Sequence, residues 1–205
     1  MKTIKGPNLG RVAVLRSIAG ASGITSQLIG LTALLATISS SPWFSWTENH
    51  LSVLGVEGSA TALFNSGLIL TGVLSLVFAI GLGKSLPSSR LLGRLGVVSL
   101  VLGSISISAT GIFPRTTGLP HNCASLAFFI FITLALFLVG VTAIRASQKM
   151  WGWFSLTACL VIIILQPLPW PWEGGAIPQL LSYLPWSLWT IAFGIRLLVR
   201  PKLVD

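Results

Sequence analysis

The sequence predicts an all-α protein that forms a bundle of six transmembrane helices. Hydrophobic residues make up 53% of the 205 residues, charged residues make up only 8%, and the mean hydropathy is +0.89. Soluble proteins carry about 25% charged residues, so this chain has too few of them to cover a surface that faces water. Several apolar stretches also exceed the roughly 18 residues that mark a helix spanning a bilayer. The composition therefore indicates a multi-pass integral membrane protein.

Each predicted span is an apolar stretch that must be helical, because unpaired backbone groups are costly in hydrocarbon. The six spans run approximately over residues 13–39, 59–82, 91–113, 122–144, 151–165 and 177–199. The segments between them are too short for a soluble domain, so residues 1–205 are predicted to be one membrane domain. The connections on one side are short, whereas those on the other side are longer and richer in polar and aromatic residues.

The distribution of charge predicts that both termini are cytoplasmic. If the N-terminus is placed in the cytoplasm, all of the 13 lysines and arginines except Arg115 fall on that side. They are Lys2, Lys5, Arg11, Arg16, Lys84, Arg90, Arg94, Arg145, Lys149, Arg196, Arg200 and Lys202. This is the positive-inside rule, and it is typical of a protein of the plasma (cytoplasmic) membrane. The net charge of +9 is thereby explained by topology, and we expect no nucleic-acid partner.

The outer connections have local patterns of their own. The first, "SPWFSWTENHLSVLGVEG", has apolar residues from Leu51 to Val56 that predict a short interfacial or re-entrant helix. The last, "QPLPWPWEGGAIPQ", is too rich in proline and glycine to be a regular helix throughout. Most tryptophans fall at the predicted interfaces, as in an aromatic belt. Trp186 and Trp189 lie within the sixth span and depart from that pattern.

Stripes of small residues in the first and third spans predict close helix packing. Gly20, Gly23, Gln27 and Gly30 follow one face of the first span, and Gly96, Ser99, Gly103, Ser106 and Thr110 follow one face of the third. Small residues let membrane helices approach closely, and hydroxyl groups can bond across the contact. The alternative is a polar pathway for a transported solute. Ionisable residues at mid-depth would support that alternative, but Gln27 is the strongest polar residue there.

The candidate site residues gather on the outer side, where all three outer connections contribute them. The candidate ligand-binding residues are Asn49, Ser52, Asn65, Arg115 and His121. The candidate catalytic residues are His50, Glu57 and His121, and the candidate metal ligands are Glu48, His50, Glu57 and His121. Asn122 and Glu173 lie in the same region. Two histidines with several glutamates could hold a zinc ion that activates water, but no HExxH spacing is present. No cofactor is identified.

Each of the central polar residues has a structural interpretation beside the functional one. We expect Asn65 to bond to a neighbouring helix or to the connections above it, for instance to His121. We expect His121 to bond to the second span or the first outer connection, or else to act as a ligand or catalyst. Arg115 could pair with a glutamate or bind a lipid phosphate. A serine nucleophile, Ser52 or Ser125 with His121, lacks the G-x-S-x-G signature.

Two stretches resemble the DUF998 family of uncharacterised six-span membrane proteins. They are "NHLSVLGVEGSATALFNSGLILTGVL", residues 49–74, and "GIFPRTTGLPHNCAS", residues 111–125. The residues that match the family's pattern are Asn49, Ser52, Leu54, Gly55, Phe64, Asn65, Gly67, Gly111, Phe113, Pro114 and His121. The resemblance covers roughly residues 20–200 by the layout of its spans, and it implies a fold and the location of a site.

The family usually has an acidic residue where this chain has Val53, which weakens an enzymatic interpretation unless Glu48 or Glu57 substitutes. The family is in turn distantly similar to the Frag1/DRAM/Sfk1 group, whose members are linked to lipid handling and membrane trafficking. Fold-level similarity of this kind assigns no reaction.

Three functional hypotheses follow from the sequence. The first is a membrane protein whose outer polar cluster binds a lipid headgroup or a small ligand. The alternative is a metal-dependent lipid hydrolase that uses the same cluster, and the third is a small-solute transporter. The expected partners are membrane lipids and either a second copy of the chain or another membrane protein.

Overall fold

The computed structural model describes residues 7–85 and 91–199, with side chains from residue 13 onward, and the described part is all-α without strands. The helices are α1 (Pro7–Ser39), α2 (Thr61–Gly83), α3 (Leu91–Ile112), α4 (Leu119–Arg145), α5 (Lys149–Leu165) and α6 (Ala176–Val199). Their bounds match the predicted spans closely at most ends. The largest differences are that α1 begins at Pro7 and that α4 begins at Leu119, since a proline is tolerated in the first turn of a helix.

Within the described residues, four helices are long and apolar enough to cross a membrane: α1 (from Ala13), α2, α3 and α4. Helix α5 is also apolar but is shorter, with 17 residues. Helix α6 has 24 residues, but Gln179, Ser182 and Pro185 make its N-terminal half less apolar. The structure therefore supports a multi-pass membrane protein, while a span for α5 and for α6 remains a prediction.

The helices form a ring in which each packs against the next in sequence and α6 closes the ring against α1. Close approach at glycines explains the contact between α1 and α6, because a Cβ atom on Gly20 would lie 2.6 Å from the carbonyl oxygen of Gly194. Gly103 of α3 packs in the same way against Ile132 of α4. The stripes of small residues therefore serve helix packing, as predicted. The hydroxyl groups of the α3 stripe, however, donate to carbonyl groups of their own helix.

Aromatic side chains from α6 fill the centre of the ring. Trp186 and Trp189 are both completely buried. Trp189 stacks on Phe193 with ring centroids 4.4 Å apart and meets Phe78 of α2 edge-on at 6.1 Å. These two tryptophans depart from the predicted interfacial belt because they form the core of the bundle.

Three connections cover one end of the bundle, and we call this the roofed end: residues 40–60, 113–118 and 166–175. The first contains a 3-10 helix, Leu51–Gly55, whose Leu54 is fully buried, which confirms the predicted short helix. The second contains the 3-10 helix Arg115–Thr117. Several basic residues that predicted the topology lie outside the described residues or their described side chains: Lys2, Lys5, Arg11, Arg90, Arg200 and Lys202.

Candidate functional site

The roof is held together by backbone hydrogen bonds between the first and last of its connections. The Gly174 N–H donates to the Thr47 carbonyl oxygen at 2.8 Å, and the Ala176 N–H donates to the Asn49 carbonyl oxygen at 3.0 Å. A Cβ atom on Gly174 would lie 2.7 Å from that Asn49 oxygen, so only glycine allows the two backbones to approach this closely. The roof is thus a fixed layer over the ends of the helices.

Gln179, in the first turn of α6, bonds to the first connection of the roof. Its Oε1 accepts a hydrogen bond from the Leu51 N–H at 2.8 Å, which turns its Nε2 towards the Nδ1 of His50 at 3.5 Å. Because an amide nitrogen can only donate, Nδ1 of His50 acts as the acceptor and the neutral ring carries its proton on Nε2. Burial, together with the nearby positive charge of Arg115, lowers the pKa of His50 below its ordinary value.

The two motif asparagines also bond to the roof. The Oδ1 of Asn49 accepts a hydrogen bond from the Ser45 N–H at 2.8 Å, which closes a turn of the first connection. The Nδ2 of Asn65, near the start of α2, donates to the Gly55 carbonyl oxygen at 2.9 Å. The prediction that Asn65 bonds to the connections above it is confirmed, but its partner is this carbonyl group and not His121.

His121 bonds within its own segment of the chain. It is 5% exposed, and its Nδ1–H donates to the Phe113 carbonyl oxygen at 2.8 Å, which bridges the connection between α3 and α4. The expected bond to the second span or to the first outer connection is therefore not formed. Gly111, three residues before Pro114, packs so tightly on α2 that its Cβ would lie 2.5 Å from the Asn65 carbonyl oxygen. The residues that match the family's pattern therefore hold the ends of the helices and the roof connections together.

A pocket of about 100 Å³ lies directly beneath the roof. Five helices and the first connection line it, with the residues Gly30, Leu34, Leu51, Ser52, Phe64, Leu68, Ile107, Thr110, Ser125, Phe128, Phe129, Gln179 and Tyr183. Most of its surface is apolar. Its few polar groups include Ser52 and Gln179 near the roof and Tyr183 one turn further along α6, so the pocket suits a molecule that is largely apolar.

A buried polar network lies next to the pocket, between α1, α2 and α6. The Tyr183 hydroxyl donates to Gln27 Oε1 at 3.0 Å, and Gln27 Nε2 donates to Ser26 Oγ at 2.9 Å and to Ser75 Oγ at 3.4 Å. Gln27, Ser26 and Ser75 are completely buried. Because both ends of the Gln27 amide are bonded inside the bundle, this residue joins helices and does not line a polar cavity.

The structure separates the predicted site residues into different environments. Ser52 lines the pocket, whereas Asn49, Asn65 and His121 use their side chains in the bonds that hold the roof. The remaining charged or polar members are exposed: Glu48, Glu57, Arg115, Asn122 and Glu173. In the described part of the chain Arg115 forms no ion pair with Glu48, Glu57 or Glu173, so the expected pairing is absent there. Long exposed side chains gain little from such a pair.

A metal site is not formed by these residues. Within residues 7–85 and 91–199, no three His, Cys, Asp or Glu side chains lie close enough to hold a metal ion, and this includes His50, His121, Glu48 and Glu57. The described residues also show no hydrogen bond from His121 to Ser52 or Ser125, although both serines line the pocket. The arrangement can enclose an apolar group, but it presents no assembled catalytic set.

Sequence reasoning missed several residues that shape this site, notably Gln179, Tyr183 and Phe129. Gln179 follows a proline-rich connection, and its partner Leu51 lies 128 residues away in the sequence. Tyr183 and Gln27 are separated by 156 residues. The available signal was that Tyr183 is the only tyrosine in the chain and lies inside an apolar span, where its hydroxyl group needs a partner.

Comparison with known proteins gives a family and no further relative. No curated protein matches the chain, and no solved structure matches it. The distant similarity to the Frag1/DRAM/Sfk1 group stays a prediction. The model of the family described as "Protein of unknown function (DUF998)" matches residues 24–196, which is most of the chain. This protein therefore belongs to the DUF998 family.

Proposed function

We propose that this protein is a six-span membrane protein of the cytoplasmic membrane that binds a lipid or a similar amphipathic molecule in the pocket beneath its roof. In this proposal the roofed end faces outward and both termini are cytoplasmic. Helix α5, with its 17 residues, is about 26 Å long at 1.5 Å per residue, close to the thickness of the hydrocarbon core. Helix α6 is proposed to span the membrane beside α5, because it packs against both α5 and α1 and so closes the ring of helices.

Charge supports this orientation. The described helix ends and connections opposite the roof carry Arg16, Lys84, Arg94, Arg145, Lys149 and Arg196. The roofed end carries Glu48, Glu57 and Glu173 with only one basic residue, Arg115. Basic residues are retained on the cytoplasmic side of membrane proteins, so the roof is the outer surface.

The observation that carries the binding proposal is the pocket itself. Protein interiors are close-packed, and voids larger than a water molecule are few. At about 100 Å³, this pocket is somewhat smaller than the engineered cavity of about 150 Å³ that binds benzene. An apolar group of similar size would restore the contacts that the lining residues lack. The end of an acyl chain has this chemistry.

The polar groups near the roof supply the contacts that an amphipathic molecule needs at its other end. Ser52 and Gln179 line the pocket near the roof. Arg115 is exposed at the same end and has no ion-pair partner among the described residues, so its guanidinium group is available to an anionic headgroup. Of the predicted ligand set, we retain Ser52 and Arg115 as contacts and assign Asn49, Asn65 and His121 to holding the roof.

The two other hypotheses have less support. A metal-dependent hydrolase needs a set of ligands, and the described residues do not bring three together. A solute transporter needs a polar route through the bundle, and Gln27 is instead fully buried and bonded to Ser26, Ser75 and Tyr183. Neither alternative is favoured by a specific observation.

The binding proposal is tested by filling the pocket. Ser125 lines the pocket, whereas Cys123, two residues earlier in α4, is exposed and does not line it. We expect Ser125→Phe to reduce retention of copurified lipid in native mass spectrometry and Cys123→Phe to leave it unchanged. Overpacking costs about 1–3 kcal/mol, which corresponds to roughly a 5- to 150-fold loss of affinity. Equal lipid retention by the two variants would overturn the proposal.

The topology is tested by labelling single cysteines from outside the cell. In a background that lacks Cys123 and Cys159, cysteines replace Glu57, Ser147 or Glu173, all of which are exposed outside the helices. A maleimide that does not cross membranes should label Glu57→Cys and Glu173→Cys in intact cells, and label Ser147→Cys only after lysis. Labelling of Ser147→Cys and Glu173→Cys from the same side would show that α5 does not span.

A further inference from the structure

A second cavity lies on the outer face of the bundle, in a groove between α4 and α5. Its volume is about 490 Å³, and the residues that line it are Leu126, Phe129, Ile130, Thr133, Leu134, Phe137, Cys159, Ile162, Ile163 and Gln166. Leu126 is 62% exposed, and Ile130 and Ile163 are each 53% exposed, so the groove opens away from the core. Almost all of its lining is apolar.

Phe129 lies between this groove and the pocket beneath the roof, because it is a lining residue of both. It is half-buried, and its ring packs edge-on against Phe128 at 5.0 Å. The backbone at this position is held, since the Thr133 hydroxyl donates to the Phe129 carbonyl oxygen at 2.7 Å. Side-chain rotamers interconvert without movement of the backbone, so the Phe129 ring is the group to test as the barrier between the two spaces.

The occupant of the groove follows from where α4 lies. Of the four described helices that are long and apolar enough to cross a membrane, α4 is the most apolar. An apolar groove on the outside of such a helix faces hydrocarbon, so the acyl chains of bilayer lipids are in direct contact with it. Gln166 ends the groove just beyond the last turn of α5 at the roofed end, and it is the one amide side chain among the residues that line the groove.

We propose that a bilayer phospholipid lays one acyl chain in the α4/α5 groove and inserts the end of that chain past Phe129 into the pocket. The sizes fit, because the groove is about five times larger than the pocket and holds most of the chain, while the pocket holds only its end. This inference rests on the proposed binding of an acyl chain in the pocket. It names the ligand class and its route, and it moves the polar end of the lipid from Ser52 and Gln179 to the region of Gln166. Phe129 is the gate between the groove and the pocket.

The route is tested with phosphatidylcholine that carries a photoreactive diazirine near the end of one acyl chain, incorporated into nanodiscs with the full-length protein. After illumination, mass spectrometry locates the adducts. We expect adducts on the groove and on pocket residues that do not line the groove, such as Leu68 and Ile107. A probe with the diazirine next to the ester should label the region of Gln166 and leave those pocket residues unlabelled.

Variants of the gate give the decisive comparison. Phe129→Trp narrows the passage and should lower pocket adducts by about fivefold or more, the effect of roughly 1 kcal/mol against insertion. Phe129→Ala should raise them. Phe131, two residues later in the same helix, is half-buried and lines neither cavity, so Phe131→Trp and Phe131→Ala are the matched controls. Both controls should label as the unchanged protein does.

The outcomes separate the route from the proposed function. If pocket adducts persist in Phe129→Trp and are lost in Ser125→Phe, the pocket binds lipid but is reached through the roof, and only the lateral route is overturned. If the pocket is never labelled and Ser125→Phe retains lipid, the proposed function fails as well. If the groove is unlabelled and the protein has the mass of two chains, a second copy covers the groove, which also overturns the route.

Discussion

The two sides of this helical ring are held together by different means. On the side of α1, α2 and α6, backbones meet at glycines and a buried network joins Gln27 to Tyr183. On the other side, α4 and α5 also meet at Gly140 and Gly152 near the end opposite the roof, but towards the roof an apolar groove of about 490 Å³ opens between them. The first arrangement has fixed geometry, because each hydrogen bond needs its partner in place. The second relies on apolar contacts that lipid can replace.

This difference indicates that the two sides of the ring have different roles. The polar side keeps the roof in register, since Gln179 of α6 bonds to the roof at Leu51. The apolar side leaves space beside Phe129, which lines both the groove and the pocket. In a membrane, hydrocarbon is as apolar as the side chains that face it, so only packing and hydrogen bonds hold helices together. A protein that admits a lipid is therefore expected to concentrate its hydrogen bonds away from the opening.

The largest effect is expected where α1 meets α6. Gly20→Leu places a side chain against the backbone of Gly194, 2.6 Å from its carbonyl oxygen at the Cβ position alone. Neither backbone can yield without separating the helices, so we expect a loss of about 3 kcal/mol or more in the free energy of unfolding. Equilibrium unfolding in mixed detergent micelles measures it. Ala21→Leu, at an exposed position one residue later, is the control and should change little.

The helix bounds were accessible from sequence because long apolar runs end at prolines, glycines and charged residues. The second span, predicted over 59–82, is observed as Thr61–Gly83. The site was less accessible. The sequence placed Glu48, Glu57, Glu173 and Arg115 at one end, but all four are exposed and the described residues form no metal set from them. No local sequence pattern shows that the connections at the roofed end would meet through their backbones while their charged side chains remain apart.

The hydrogen bonds that hold the roof were partly predicted. Asn65 was expected to bond to a neighbouring helix or to the connections above it, and it donates to the Gly55 carbonyl oxygen of the first connection. The reason was general, since an asparagine in an apolar helix needs a partner. The partner itself is a backbone carbonyl group, which leaves no mark in the sequence. The same holds for the bond from His121 to the Phe113 carbonyl oxygen.

The second effect concerns the buried network. Gln27→Leu leaves the buried Tyr183 hydroxyl without its acceptor, and we expect a loss of about 1–3 kcal/mol in the free energy of unfolding. Adding Tyr183→Phe should recover part of this loss, because removing both partners leaves no unpaired group. Gln166→Leu, at the exposed end of the groove, is the control. An equal loss from Gln27→Leu and Gln166→Leu would remove the contrast between the two sides.

Neighbouring isoleucines of α5 give a matched pair for the groove. Ile162 is 2% exposed, whereas Ile163 is 53% exposed in the groove. We expect Ile162→Ala to cost about 2–5 kcal/mol and Ile163→Ala to cost no more than about 0.5 kcal/mol, as at other exposed positions. The same unfolding assay compares them. A large loss from Ile163→Ala would mean that protein, and not lipid, packs in the groove.

The smallest effect is expected at the roof, where Gln179 extends the polar contacts of α6 to His50. The folded protein disfavours protonation of His50, because burial and the charge of Arg115 lower its pKa below the ordinary value of 6.5. The resulting stabilisation is complete above pH 6.5 and is lost as the pH falls below it towards the folded pKa. Melting temperatures should therefore decrease below pH 6.5 in the unchanged protein, and His50→Gln should lose that part of the pH dependence.

The two causes of this shift can be separated by NMR titration of the His50 ring. Burial is the larger cause and the Arg115 charge the smaller, so Arg115→Gln should raise the pKa of His50 only part of the way towards 6.5. Protonation of the ring adds a proton at Nδ1, where Gln179 Nε2 can only donate, so the contact at 3.5 Å is lost in the charged form. If Arg115→Gln leaves the pKa unchanged, the Arg115 guanidinium does not act on His50. The lowered pKa of His50 would then follow from burial alone.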